Sequence, residues 1–151
     1  MKTMRNQFLT ARAIARHMVE RASGVILTIT GGYREAFPTI GGTVVARAAI
    51  EAQCRQWACE LGPQGIRVVW LRTTGLSEAI PDTGDAAADH GTGNGEGMRR
   101  EQIIARMLDE TILRRLASLD ELGKIVTFMA SDGAGPMTAT FANISCGAIL
   151  D

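Results

Sequence analysis

Residues 41–73 read GGTVVARAAIEAQCRQWACELGPQGIRVVWLRT. The stretch changes character at Gly62-Pro63. Before it, 43–61 is rich in alanine and other helix formers, and Gly-Pro is a stop signal, so a helix is expected there. After it, IRVVWLR at 66–72 is a compact apolar run with β-branched residues, the pattern of a strand buried on both faces. A helix feeding a buried strand is half of a βαβ crossover, which implies a parallel sheet. The helix opens with Thr43, and Arg47 follows one turn later on the same face. That step suits a catalytic pair, yet neither an aliphatic alcohol nor a guanidinium moves a proton readily near neutral pH.

The same reading extends outward in both directions. Met4, Phe8, Ala11, Ile14 and Met18 recur at helical spacing, opposite Arg5, Arg12, Arg16 and Glu20, so 4–22 is an amphipathic helix ended by Ser23-Gly24. VILTIT at 25–30 is a buried strand, broken by Gly31-Gly32. DTGDAAADHGTGNGEG at 82–97 is a low-complexity loop, expected to be flexible. A third helix is expected from Met98 to about Leu113. Ser118 with Glu121 is a capping-box signature for a fourth, to about Ser131. ATFANIS at 139–145 is the last strand. The order α-β-α-β-α-α-β gives an α/β fold class, with helices on both faces of a three-stranded parallel sheet. So small a parallel sheet reads as part of a larger one.

Composition sets limits on function. The 151 residues suit one domain. Hydrophobic residues make up 46% and charged residues 21%, an ordinary globular balance. The formal net charge is zero and no basic cluster is visible, which argues against nucleic acid as a partner. No apolar run approaches a membrane span and no signal peptide is evident, so a cytoplasmic protein is expected. Cys54, Cys59 and Cys146 have neither disulfide-framework nor zinc spacing and read as small packing residues.

Other candidates have plain readings. His17, beside Arg16, is expected at the surface. Trp57 and Trp70 are expected to pack. Asp85, Asp89 and His90 lie in a loop without the rigid support that a metal site needs, so no metal is expected. Gly91, Gly93, Gly95 and Gly97 do not have the spacing of a phosphate-binding turn.

AAIEAQCRQWACELGPQGIRVVWL at 48–71 resembles the helix-then-strand segment of the short-chain dehydrogenase/reductase family. LRRLASLDELGKIVTFMASDGAGPMTATFANISCGAILD at 113–151 resembles its closing segment, and FLTARAIARHM with GVILTIT resembles the preceding helix and strand. The resemblance covers nearly the whole chain. It implies a partial Rossmann-like three-layer αβα domain over residues 1–151, matching the C-terminal part of family members. It also implies NAD or NADP as cofactor and hydride exchange with a small alcohol or carbonyl substrate. The strand, glycine-rich turn and helix that cradle the cofactor pyrophosphate have no counterpart here, raising the expectation of a start upstream of Met1.

By the same resemblance, the family's catalytic tyrosine falls on Thr43, its lysine on Arg47 and its serine on Thr30. An assisting asparagine falls near Thr3, and Tyr33, the one tyrosine, reads as a loop residue, with a displaced catalytic group as the alternative. Arg47, Thr73, Thr74 and Ser77 take the cofactor-facing positions. The frame is kept while its groups are changed, so impaired catalysis is expected. In the family, the helices equivalent to 4–22 and 43–61 form a bundle with the same pair from a second subunit. Ala46, Ala48, Ala49, Ala52 and Ala58 would allow that close approach, implying a homo-oligomer. The rival expectation is a non-enzymatic assembly module that pairs with itself or with a full-length relative.

Overall fold

The computed structural model describes residues 2–31, 42–80 and 100–150. The elements are α1 (Lys2–Glu20), β1 (Gly24–Gly31), α2 (Thr43–Leu61), β2 (Ile66–Thr73), α3 (Arg100–Asp109), α4 (Leu119–Ala130) and β3 (Thr140–Ile144). The order is the one expected from periodicity. The strands form one parallel sheet in the order β1-β2-β3, with Gly24 opposite Ile66 and Val69 opposite Thr140.

β2 is central, and its alternation fixes the two layers. Val68 and Trp70 face α1 and α2, in a core with Ala11, Ile50, Cys54, Trp57 and Ala58. Val69 and Leu71 face α4, in a second core with Leu122, Met129 and Ile144. Both tryptophans are thus packing residues, at 8% and 1% exposure. The two helix-bearing faces explain why β2 is a continuous apolar run rather than an alternating one.

Several boundaries differ from expectation. α1 ends through Ala22, which takes a left-handed φ of 49°, and not through Gly24. Gly24 instead starts β1, where a Cβ would collide with the Met18 side chain. α3 stops at Asp109, short of Leu113, because the Thr111 hydroxyl donates to the Leu108 carbonyl and Arg114 turns to φ 53°. Gly65, at φ 78° and against the Ala22 carbonyl, makes the tight turn into β2.

α4 has the capping box the sequence announces. The Ser118 hydroxyl accepts from the Glu121 amide, and the Glu121 carboxylate accepts from the Ser118 amide. A hydrogen bond from Arg115, aided by the Ser118 amide, holds the Glu121 carboxyl down to about 2. At the far end of α4, Arg67 donates to the carbonyls of Met129 and Ser131, satisfying groups a helix end leaves open.

The α1 stripe is only partly covered. Ala11 is buried and Phe8 stacks on Trp57 with centroids 6.4 Å apart, but Phe8 and Ile14 remain 41% and 44% exposed. Of the alanines on α2, Ala58 is buried while Ala48 and Ala52 are exposed. Among the described residues, no helix is long and apolar enough to cross a membrane.

Candidate functional site at the strand ends

The C-terminal ends of β1 and β2 lie side by side, with Thr30 opposite Arg72 and Gly31 opposite Thr73. α2 runs across them on one face. Its first residue, Thr43, is exposed, and Gly42 before it provides no side-chain cap. One turn on, the Arg47 guanidinium lies against Gly31. A further turn brings Glu51.

Glu51 is the best-tied polar group of the site. It is 7% exposed and receives a two-pronged contact from Arg72, Nε to Oε1 at 2.7 Å and Nη2 to Oε2 at 2.6 Å. Arg55 adds a longer contact at 3.9 Å. Burial pushes the Glu51 carboxyl up, but the hydrogen bond and charge of Arg72, with Thr30, outweigh it and hold the group below its ordinary range. Arg72 also lies over the Phe141 ring, 3.9 Å from its centroid. Nearby, burial pushes the Cys54 thiol up, although a hydrogen bond with Thr28 opposes the shift.

Thr30 is turned into this cluster. It is 2% exposed, and its hydroxyl donates to the Leu71 carbonyl at 3.2 Å and to Glu51 at 3.3 Å. It faces the sheet–α2 interface, not open solvent. Thr73 is likewise 6% exposed, with its hydroxyl donating to the Ile144 carbonyl. Ser77 donates to Glu78 at 2.7 Å, and Glu78 in turn accepts from the Leu119 amide at the start of α4. Thr74 is half-buried beyond the end of β2.

The structure therefore brings Thr30, Arg47 and Thr73 to one end of the sheet, with Thr43 one helical turn away. Ser77 sits farther along, in the turn held by Arg100. Tyr33, Asp85, Asp89, His90 and the loop 82–97 fall outside the described residues, as does the Thr3 side chain. Among the described residues, no three His, Cys, Asp or Glu side chains gather as a metal set. His17 is at the surface, 3.6 Å from Glu20.

Sequence reasoning missed Gly31, Glu51 and Arg72. A signal for the last was present: Arg72 follows Val68 and Trp70 at period two, a charge on an otherwise buried strand face. Glu51, one turn after Arg47 on a helix that packs on that face, is the countercharge such a position needs.

For a dinucleotide, the fit of the described residues is one-sided. Arg47 and Thr74 stand at the strand ends, where doubly wound folds take ligands. The described residues contain no glycine-rich strand-to-helix turn for a pyrophosphate.

Comparison with known proteins gives a consistent picture. The family described as enoyl-(acyl carrier protein) reductase matches residues 3–148. The chain is 29% identical over 141 residues to the probable galactose dehydrogenase GalD of Rhizobium meliloti, covering 90% of this chain and 48% of that protein. It is 27% identical over 151 residues to sorbitol-6-phosphate 2-dehydrogenase of Klebsiella pneumoniae, covering 93% and 52%. The chain thus spans about half the length of the curated relatives it matches. A gluconate 5-dehydrogenase of Burkholderia cenocepacia, solved with NADP and tartrate, shares the fold at a TM-score of 0.74 and 20% identity, covering 94% of this chain and 51% of that one.

Proposed function

Because the chain belongs to the short-chain dehydrogenase/reductase family, we propose that it derives from an oxidoreductase exchanging hydride between NAD or NADP and a small alcohol or carbonyl. We further propose that its own catalysis is impaired. NAD(P), when bound, supplies or takes the hydride. In this reading Arg47 and Thr74 would hold its nicotinamide end, with Thr73 and Ser77 shaping the turn beside them. The proton that accompanies hydride must pass through a group of the chain, and here the chain departs from its family. Thr43 has an alcohol that stays protonated at any physiological pH, so it neither gives nor takes a proton as a tunable acid. Arg47 is cationic like the family's lysine but bulkier, and not its equivalent.

The observation that carries the reading is the commitment of Thr30. Its hydroxyl is spent on Glu51 and the Leu71 carbonyl inside the interface, so it does not orient a substrate oxygen in the open cleft. The test is turnover with NADH and NADPH over a broad panel of aldehydes and ketones. Background rates are expected. Robust turnover that Arg47→Ala abolishes would overturn the impairment.

A second reading, a non-enzymatic assembly module, is favoured by the uncovered apolar side chains on its two helices. Val45 on α2 is 71% exposed, beyond the half-covered stripe of α1. The helices 2–20 and 43–61 would meet the same pair of a second copy or of a full-length relative. The three free cysteines, one of them exposed, suit the reducing cytoplasm.

A further inference from the structure

Gly31 and Arg47 are fitted to each other. Gly31 ends β1, and strand alternation directs any side chain at 31 to the face opposite Thr30. A Cβ there would lie 2.7 Å from the Arg47 guanidinium carbon, 2.7 Å from one terminal nitrogen and 3.1 Å from the other. The planar group therefore occupies the space that the first carbon of any other residue would fill. By contrast, a Cβ at Gly42 would meet nothing within 4 Å, so that glycine makes room for no side chain.

A guanidinium at this strand end stands where doubly wound folds take ligands. Its fork of donors matches the two oxygens of a carboxylate or the edge of a phosphate. The nearest carboxylate along α2, Glu51, has both oxygens engaged by Arg72, at 2.7 and 2.6 Å. That pair also fixes α2 on β2, which keeps Arg47 in register with Gly31.

We propose that the C-terminal end of β1 is an oxyanion-binding subsite, in which Arg47, seated in the space left by Gly31, takes a carboxylate or phosphate group of a small ligand. The inference concerns the strand end discussed above but does not need hydride transfer, so a catalytically inert protein still tests it.

The experiment is calorimetric titration of the whole chain with malonate and, separately, with inorganic phosphate at constant ionic strength. Saturable binding with a dissociation constant on the order of 1 mM or tighter is expected for at least one of them. Phosphate alone identifies a phosphoryl ligand, malonate alone a carboxylate, and both together a general oxyanion seat. Arg47→Gln and Gly31→Ala are each expected to weaken binding by about tenfold or more, since one removes the fork and the other evicts it. Arg12→Gln, on the exposed face of α1, is expected to leave it unchanged. Binding of neither anion overturns the proposal, as does binding that survives Arg47→Gln. Undiminished affinity in a folded Gly31→Ala protein overturns the role of the cradle. If Gly31→Ala does not fold, Arg47→Gln alone decides.

Discussion

At the scale of single residues, the pair of Glu51 and Arg72 dominates the energetics of the site. Removing the carboxylate takes the two short Glu51 contacts from an arginine side chain that is only 23% exposed. Glu51→Ala is therefore expected to destabilise the fold by about 2–3 kcal/mol, measured by urea denaturation. The sign of the pH effect follows from the same contacts. The folded carboxyl titrates below its ordinary value of 4.5, so its contribution is complete above that pH. It is lost as pH falls through the lower folded value. Thermal melts between neutrality and pH 3 are expected to show less acid destabilisation in Glu51→Gln than in the native chain. Backbone strain gives a second case. Ala139 holds φ 54° just before β3, a conformation that glycine adopts without steric cost. Ala139→Gly is expected to be neutral or stabilising by up to about 1 kcal/mol, whereas the same change at most surface positions destabilises. These residues also mark how far the sequence could be read. That Thr43 and Arg47 stand one turn apart on a helix was legible, because four-residue spacing on a helix is a local fact. That Thr30 faces the interface was not, because its direction depends on the sheet register and on what α2 brings above it.

At the scale of elements, local signals carried most of the information. α2 and the capping box of α4 sit where composition and cap chemistry put them, since both depend on neighbours within one or two turns. Ser118→Ala is accordingly expected to cost about 1 kcal/mol, read as a lower urea midpoint with an unchanged slope. The ends of α1 and α3 were less legible, because left-handed turns at Ala22 and Arg114 are adopted without the usual glycine. β1 raises a different issue. Its residues, GVILTITG, include no charge and no proline, and one of its edges is unpaired among the described residues. Such an edge lacks the devices that keep strands from pairing with other chains. Ile29, 48% exposed on this strand, is where a charge would act. Ile29→Lys is expected to reduce concentration-dependent association in light scattering. An unchanged association constant would place the contact elsewhere.

At the scale of the whole molecule, a three-stranded parallel sheet with its helices leaves large apolar side chains open to solvent. Phe8, Ile14 and Val45 are exposed on one layer, and Phe128 is 51% exposed on the other. The parallel sheet and its helix-covered faces were legible in the sequence, because right-handed crossovers leave few ways to arrange alternating helices and strands. What covers the remaining surface was not, since that depends on chain or subunits beyond any local pattern. The relatives, about twice as long, show that the fold normally spans more chain than this. Stability without a partner would require these exposed apolar side chains to be tolerated by solvent, and large exposed apolar patches are uncommon on monomers. The chain is therefore expected to sediment at a multiple of its 16.1 kDa mass. Arginine introduced for both Phe8 and Val45 is expected to shift it toward one copy, with a lowered melting temperature if association and folding are linked. A protein that stays at 16.1 kDa across the accessible concentration range, with a sharp and concentration-independent melt, would show that the two cores suffice by themselves. The assembly reading would then fall, while the oxyanion seat at Arg47, built within one copy, would remain to be tested on its own terms.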